Sequence, residues 1–245
     1  MLQHSIVLRV VLIHRFQRDL AAEASIKQTT IFFVVWLSGF VALADDVPKP
    51  TLAKQPELRS ELLHRTKTDQ DARQALITWM NDHGANGVVV TAFLSKEKQA
   101  DFEKVSAQVK GVDEDNTQWL KGVVERHGWP SNTMAGEDGA NAAWLLVQHA
   151  DAEPKFQRKC LDLMAKLQKG EVSPANLAYL TDRVLLAEGK RQRYGTQFTS
   201  VDGKWQPRPL EDEANVDNRR AEAGLPRLAE YAKWIEQQYG GSPQK

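Results

Sequence analysis

The sequence predicts a mainly α-helical domain with one small β-hairpin, and three observations carry that reading. From Pro56 onward, apolar residues recur every three or four positions, the period of a helix face. Helix-stopping residues fall between these runs rather than inside them, as at Gly128 with Pro130, at Gly170 and at Gly189. The period then changes around Asp202 and Gly203, the dipeptide suited to a two-residue hairpin turn because both central positions need positive φ.

The elements follow in order. A first helix is expected from Pro56, where a missing amide costs nothing, to about Met80, with Leu58, Leu62, Asp69, Ala72, Leu76 and Met80 near one stripe. Val88, Val89 and Val90 read equally as a short strand or a buried turn. Ser95 is placed as the cap of a second helix ending near Lys110, and a third runs from Asp113 to His127. The fourth, from about Gly139 to Asp151, is apolar nearly all round and therefore central. A fifth is expected over Phe156–Lys169, and a sixth opens at Ser173 and Pro174 and closes at Gly189. "QRYGTQFTSV" and "KWQPRP" are the hairpin strands, which need helices to lie on. Two last helices span about Glu211–Ala223 and Pro226–Tyr239, so residues 56–239 read as one domain, with 45–55 a tether and 240–245 a disordered tail.

Composition narrows the class. The 245 residues include 32 basic and 32 acidic side chains, are 42% hydrophobic and have a mean hydropathy of -0.48, which excludes a multispan membrane protein. Residues 1–44 have the layout of a secretory signal: Lys27, an apolar run from Ile31, and small residues at Ala42 and Ala44 before two aspartates. That run of 14 residues is short against the roughly 20 of a permanent span, so cleavage after Ala44 and a periplasmic or secreted protein are expected, with an uncut signal-anchor as the alternative. The leader is long, and the true start codon is open. The remainder holds 28 basic and 30 acidic residues, which implies no nucleic-acid partner, and no stable membrane insertion is expected once the signal is removed. Cys160, the single cysteine, lies in a helical pattern and reads as a buried thiol.

Polar residues stand on faces that should be buried. Asp69, Asn116, Gln148 with His149, and Asp182 with Arg183 interrupt four apolar stripes. A buried unpaired polar group costs on the order of 1–3 kcal/mol, so these side chains are expected to converge with the YGTQ segment into a polar pocket. Gln148 and Asp151 share a helix face, whereas His149 and Asp151 stand about 200° apart unless the helix unwinds before Pro154. His149 lies in a last turn, where the helix dipole favours a cationic ring. No metal site is expected, because the Glu-x-x-His pairs of di-metal bundles are absent and Arg183 would repel an ion. No cofactor is identified. Arg219 and Arg220 read as a solvated helix face.

"DNTQWLKGVVERHGWP", "AAWLLVQHAD", "LAYLTDRVLLAEGKRQRYGTQF" and "VDNRRAEAGLPRLAEY" together resemble the bacterial family catalogued as domain of unknown function 6624. The resemblance runs from about Leu58 to Tyr239. It implies that Asp115, Asn116, Gln148, His149, Asp151, Asp182, Arg183, Gln192, Tyr194, Gly195, Thr196 and Gln197 match motif positions, and it implies no activity. Gly84 to Lys110 carry no motif of that family.

The residues support a hydrolase first: His149 as acid or base, Asp182 orienting or activating, Asp151 as a further catalytic carboxylate. Asn116, Gln148, Arg183, Gln192, Tyr194 and Gln197 are then expected to bind a small polar or anionic substrate. A non-catalytic protein binding a small polar ligand or a peptide, and a purely structural network, are the alternatives.

Overall fold

The computed structural model describes residues 30–32, 53–83, 88–90, 95–201 and 204–239. The elements are β1 (Thr30–Phe32), α1 (Pro56–Asp82), β2 (Val88–Val90), α2 (Lys96–His127), α3 (Asn132–Gln148) and α4 (Pro154–Met164). They continue with α5 (Pro174–Ala187), β3 (Phe198–Val201), β4 (Lys204–Pro207), a 3-10 turn (Glu213–Asn215), α6 (Val216–Glu222) and α7 (Leu228–Tyr239). The fold is mainly α with a small hairpin, as the sequence predicts. The chain divides into two compact units, one of residues 1–47 and 68–112, the other of residues 48–67 and 113–245.

In the first unit, Ala72, Leu76, Ile77 and Met80 of α1 pack with Phe102 and Val109 of α2, and Trp79, Val105 and Val112 border them. Trp79 stacks on His83 with centroids 4.2 Å apart. Val88–Val90 resolve as a strand, antiparallel to Thr30–Phe32. Cleavage after Ala44 would therefore remove the partner of β2. The rest of the expected leader, the tail 240–245 and the turn residues Asp202 and Gly203 lie outside the described residues.

Two expected helices are one. α2 runs unbroken through Gly111, which alone costs about 1 kcal/mol in a helix and has no proline or cap beside it. Val109, Val112, Asn116 and Leu120 carry the stripe straight across.

In the second unit, α3 begins at Asn132, capped by Ser131, which accepts from Met134 N at 3.4 Å. Gly136 (φ +75°, ψ 162°) breaks the helical path inside it, which leaves the main run close to the predicted start. The helix stops at Gln148 instead of Asp151, with His149 as its C-cap. α4 starts at Pro154 and ends at Met164, short of Lys169, with turns running to Gly170 (φ +92°). Cys160 is buried there, and burial pushes its thiol up to about 12, an inert group as expected. α5 opens on Ser173, which accepts from Asn176 N at 3.4 Å, with Pro174 in its first turn. The hairpin pairs Phe198 with Pro207 and Val201 with Lys204, so the first strand begins at Phe198 and leaves out the Gln192–Gln197 part of the expected one.

Candidate functional site

Asp182 and Arg183 are successive residues of α5, about 100° apart around its axis, and they serve different partners. Arg183 faces the end of α3. Its Nε donates to Gln148 Oε1 at 2.7 Å, and its Nη1 donates to Asp151 Oδ1 at 2.7 Å and Oδ2 at 3.0 Å. Gln157 of α4 donates from Nε2 to Val147 O at 3.1 Å and to Asp151 Oδ1 at 3.0 Å. This clasp explains where α3 ends. Gln157 takes up a carbonyl of the last turn, a group that a helix cannot satisfy by itself, and Asp151 is drawn off the helix into an ion pair.

Two buried nitrogens of the clasp have no protein acceptor: Arg183 Nη2 and Gln148 Nε2. Gln148 is 0% and Arg183 7% exposed. Each nitrogen is bonded to the same carbon as one member of the Nε–Oε1 hydrogen bond, so both flank that hydrogen bond. The amide orientation is fixed, since rotating Gln148 would set its NH2 against the Arg183 N–H.

His149, also buried, places a ring nitrogen within 4.8 Å of a carboxylate oxygen of Asp113 on α2. Asp113 and Asn116 are one turn apart on one face of that helix. Asn116 Oδ1 accepts from Arg65 Nη1 at 3.1 Å, and the same nitrogen donates to Asp115 Oδ2 at 2.6 Å. The Arg65 guanidinium lies 4.6 Å over the Trp119 ring, while the buried Asn116 Nδ2 has no acceptor.

Asp182 faces the other way, into the loop "RYGT". Its Oδ1 accepts from the backbone N–H groups of Arg193 at 2.7 Å and Tyr194 at 3.0 Å. Its Oδ2 accepts from Thr196 N and Thr196 Oγ1, both at 2.9 Å. Burial pushes this carboxyl above the usual carboxylate range, and the hydrogen bonds from Thr196, Tyr194 and Arg193 oppose the rise. Every one of these contacts is a donor, so the loop is built around the ionised form. From the same loop, Tyr194 O accepts from Arg220 Nη1 at 2.6 Å, and Arg220 Nε donates to Pro226 O at 2.6 Å.

A model described as a family of unknown function, DUF6624, matches residues 56–242. The chain belongs to the DUF6624 family. No match was found among curated proteins or among solved structures.

In this DUF6624 chain the expected site divides in two. Gln148, Asp151 and Arg183 are joined by direct hydrogen bonds, and His149 adjoins them in the chain. Asp182, Gln192, Tyr194 and Gln197 belong to the loop cluster. Gln192 Nε2 donates to Gln197 O at 3.0 Å and Arg208 O at 2.7 Å, while its Oε1 accepts from Gln197 N at 2.9 Å. Gln197 Nε2 turns inward to Thr196 Oγ1 at 3.1 Å. Tyr194 is half-buried, its ring 6.0 Å from the Arg193 guanidinium. Asp69 lies in the other unit, fully buried, 3.6 Å from Arg73, and accepts from Gln70 Nε2 at 2.6 Å.

Sequence reasoning missed Asp113 as a carboxylate within 4.8 Å of His149. The signal was its position three residues before Asn116 on the same face. It also misread Arg219 and Arg220. Arg220 is 0% exposed, and Arg219 donates to Arg193 O at 2.9 Å and Asp212 O at 2.6 Å, so both brace the loop instead of facing solvent.

Gly195 fits this loop in two ways: its φ is +67°, and a Cβ there would come within 2.8 Å of Leu228 Cδ1. Leu228 is half-buried and can shift, so the backbone decides the cost. Gly195→Ala is expected to destabilise by about 1–3 kcal/mol in chemical denaturation. Leu228→Ala in the same chain should recover only the smaller steric part.

Proposed function

We propose that the protein is a hydrolase acting on a small polar substrate at the end of α3. His149 is the general acid or base, and Asp113, in place of Asp182, is the carboxylate that orients its ring. One observation carries this reading: a buried imidazole set against a carboxylate from another helix, in the residue next to two buried donors that have no acceptor. A carboxylate beside an imidazole favours its protonated form and fixes its tautomer, which suits proton transfer to and from a bound substrate. Asp151 holds Arg183 in place. Asp182, Gln192, Tyr194 and Gln197 position the loop instead of touching substrate.

The test is turnover of chromogenic ester, amide and phosphate-ester substrates by the full chain. His149→Gln is expected to reduce kcat by about 10²–10⁴-fold with little change in melting temperature. Wild-type turnover in that variant would sink the assignment. The depth of burial favours one second reading, a protein that holds a small ligand without converting it. In that case the wild type shows no turnover, and a small polar ligand raises its melting temperature but not that of His149→Gln.

We also place the protein outside the cytoplasm, periplasmic or secreted, on the strength of Lys27, the apolar run from Ile31, and Ala42 and Ala44. Among the described residues, no helix is long and apolar enough to cross a membrane.

A further inference from the structure

We infer that Arg183 Nη2 and Gln148 Nε2 form a subsite for one neutral carbonyl oxygen, the acyl oxygen of an amide or ester, which deepens and rests on the hydrolase reading. Charge decides between an anion and a neutral acceptor. Both oxygens of Asp151 already neutralise the guanidinium through Nη1, and Asp113 adds a second carboxylate beside His149. An anion would be a further negative group beside a guanidinium already answered by Asp151, in a buried place. A carbonyl oxygen brings no charge, and its two lone pairs match two adjacent N–H donors.

The identity of residue 148 points the same way. Arg59 grips both oxygens of Asp138 through its Nε and Nη2, a two-point fork. Arg183 presents its Nε to residue 148, where a glutamate would offer a second acceptor oxygen and glutamine offers a second donor. Glutamine keeps the Nε bond and leaves two donors open, a loss of internal pairing that a ligand acceptor explains.

The chemistry balances with water alone. Water adds its oxygen to the acyl carbon and passes a proton to His149, and the carbonyl π pair moves onto the oxygen held by Arg183 and Gln148. Collapse of the adduct breaks the bond to the leaving amine or alcohol, which takes the proton from His149 and frees a carboxylic acid. Fixed donors aimed at the oxygen where charge develops stabilise that adduct.

Gln148→Glu in the full chain tests the assignment, because it keeps the bond to Arg183 Nε and removes the donor. The expected result is a folded protein with a somewhat lower melting temperature, since the new carboxylate is itself a further buried negative group, and kcat lowered on the order of 10²-fold. Binding is read separately by NMR: acetamide should shift the Gln148 side-chain amide and the Arg183 guanidinium signals of the wild type, and acetate should not. In Gln148→Met the acetamide shift at Arg183 should disappear. A larger response to acetate overturns the neutral assignment, and no response to either probe means that a buried water takes up the donors, which also overturns it. If acetamide binds but no ester or amide is hydrolysed, the subsite stands and the hydrolase reading falls. If His149→Gln abolishes turnover while neither probe binds, the reverse holds.

Discussion

Asp182→Ala is expected to lower stability by about 3–5 kcal/mol, the range for removing one member of a buried charged network. The carboxylate is fully buried and receives the backbone N–H groups of Arg193, Tyr194 and Thr196 and the Thr196 hydroxyl. Alanine strands all of these donors at once, and each buried donor left without an acceptor costs on the order of 1–3 kcal/mol unless water enters. Water does enter a loop once its anchor is gone, which keeps the total below the sum. Asp182→Asn separates charge from shape. It preserves the outline but turns one oxygen into a donor that faces N–H groups already there, so it should cost about 2–3 kcal/mol. Denaturant midpoints measure both variants, and amide exchange locates the damage. Exchange should quicken at Arg193, Tyr194 and Thr196 while α3 stays protected. Uniform loss of protection would show that the loop is part of the main cooperative unit.

The same residue shows what the sequence could and could not convey. That Asp182 must find partners followed from its place among leucines, because a buried charge cannot stay unpaired. Which partners it found did not follow. They are backbone amides of a loop, and any residue type offers those. The same blindness affected Arg220: in text it stands on a polar helix, and only the fold shows that the carbonyls of Tyr194 and Gly195 reach it. Helix existence was legible because Pro56, Ser173 with Pro174, and Gly189 act locally. The joining of two expected helices into α2 was not, because a lone glycine permits either outcome and packing of Val109 and Val112 decides. At the candidate site, Gln148 and Asp151 were readable as helix neighbours. Asp113 was hidden because its relation to His149 spans two helices.

Arg220→Met should be as damaging as the loss of Asp182, about 3–5 kcal/mol, although methionine nearly fills the space. The reason lies in how the two charges are connected. Asp182 takes the N–H groups of Arg193, Tyr194 and Thr196, Arg220 takes Tyr194 O and, at 3.4 Å, Gly195 O, and the Gly195–Thr196 peptide is therefore held at both ends. The dipole of that shared peptide is thereby aligned between a negative and a positive group, and removing either charge leaves the other buried with half of its field unanswered. Burial lowers the Arg220 pKa, and Tyr179, Tyr231, Asp217 and Asp182 act against that. The double variant Asp182→Ala with Arg220→Met discriminates this arrangement from a direct ion pair. Two groups in direct contact can both be replaced by apolar side chains at little cost. Here the intervening N–H and C=O groups stay behind whichever charges are removed. The double variant should therefore fall short of the sum of the single effects by about 1–2 kcal/mol, the coupling expected of a shared network, yet remain far below wild type. Full recovery in the double variant would show that the charges answer each other directly, and exact additivity that the loop does not connect them.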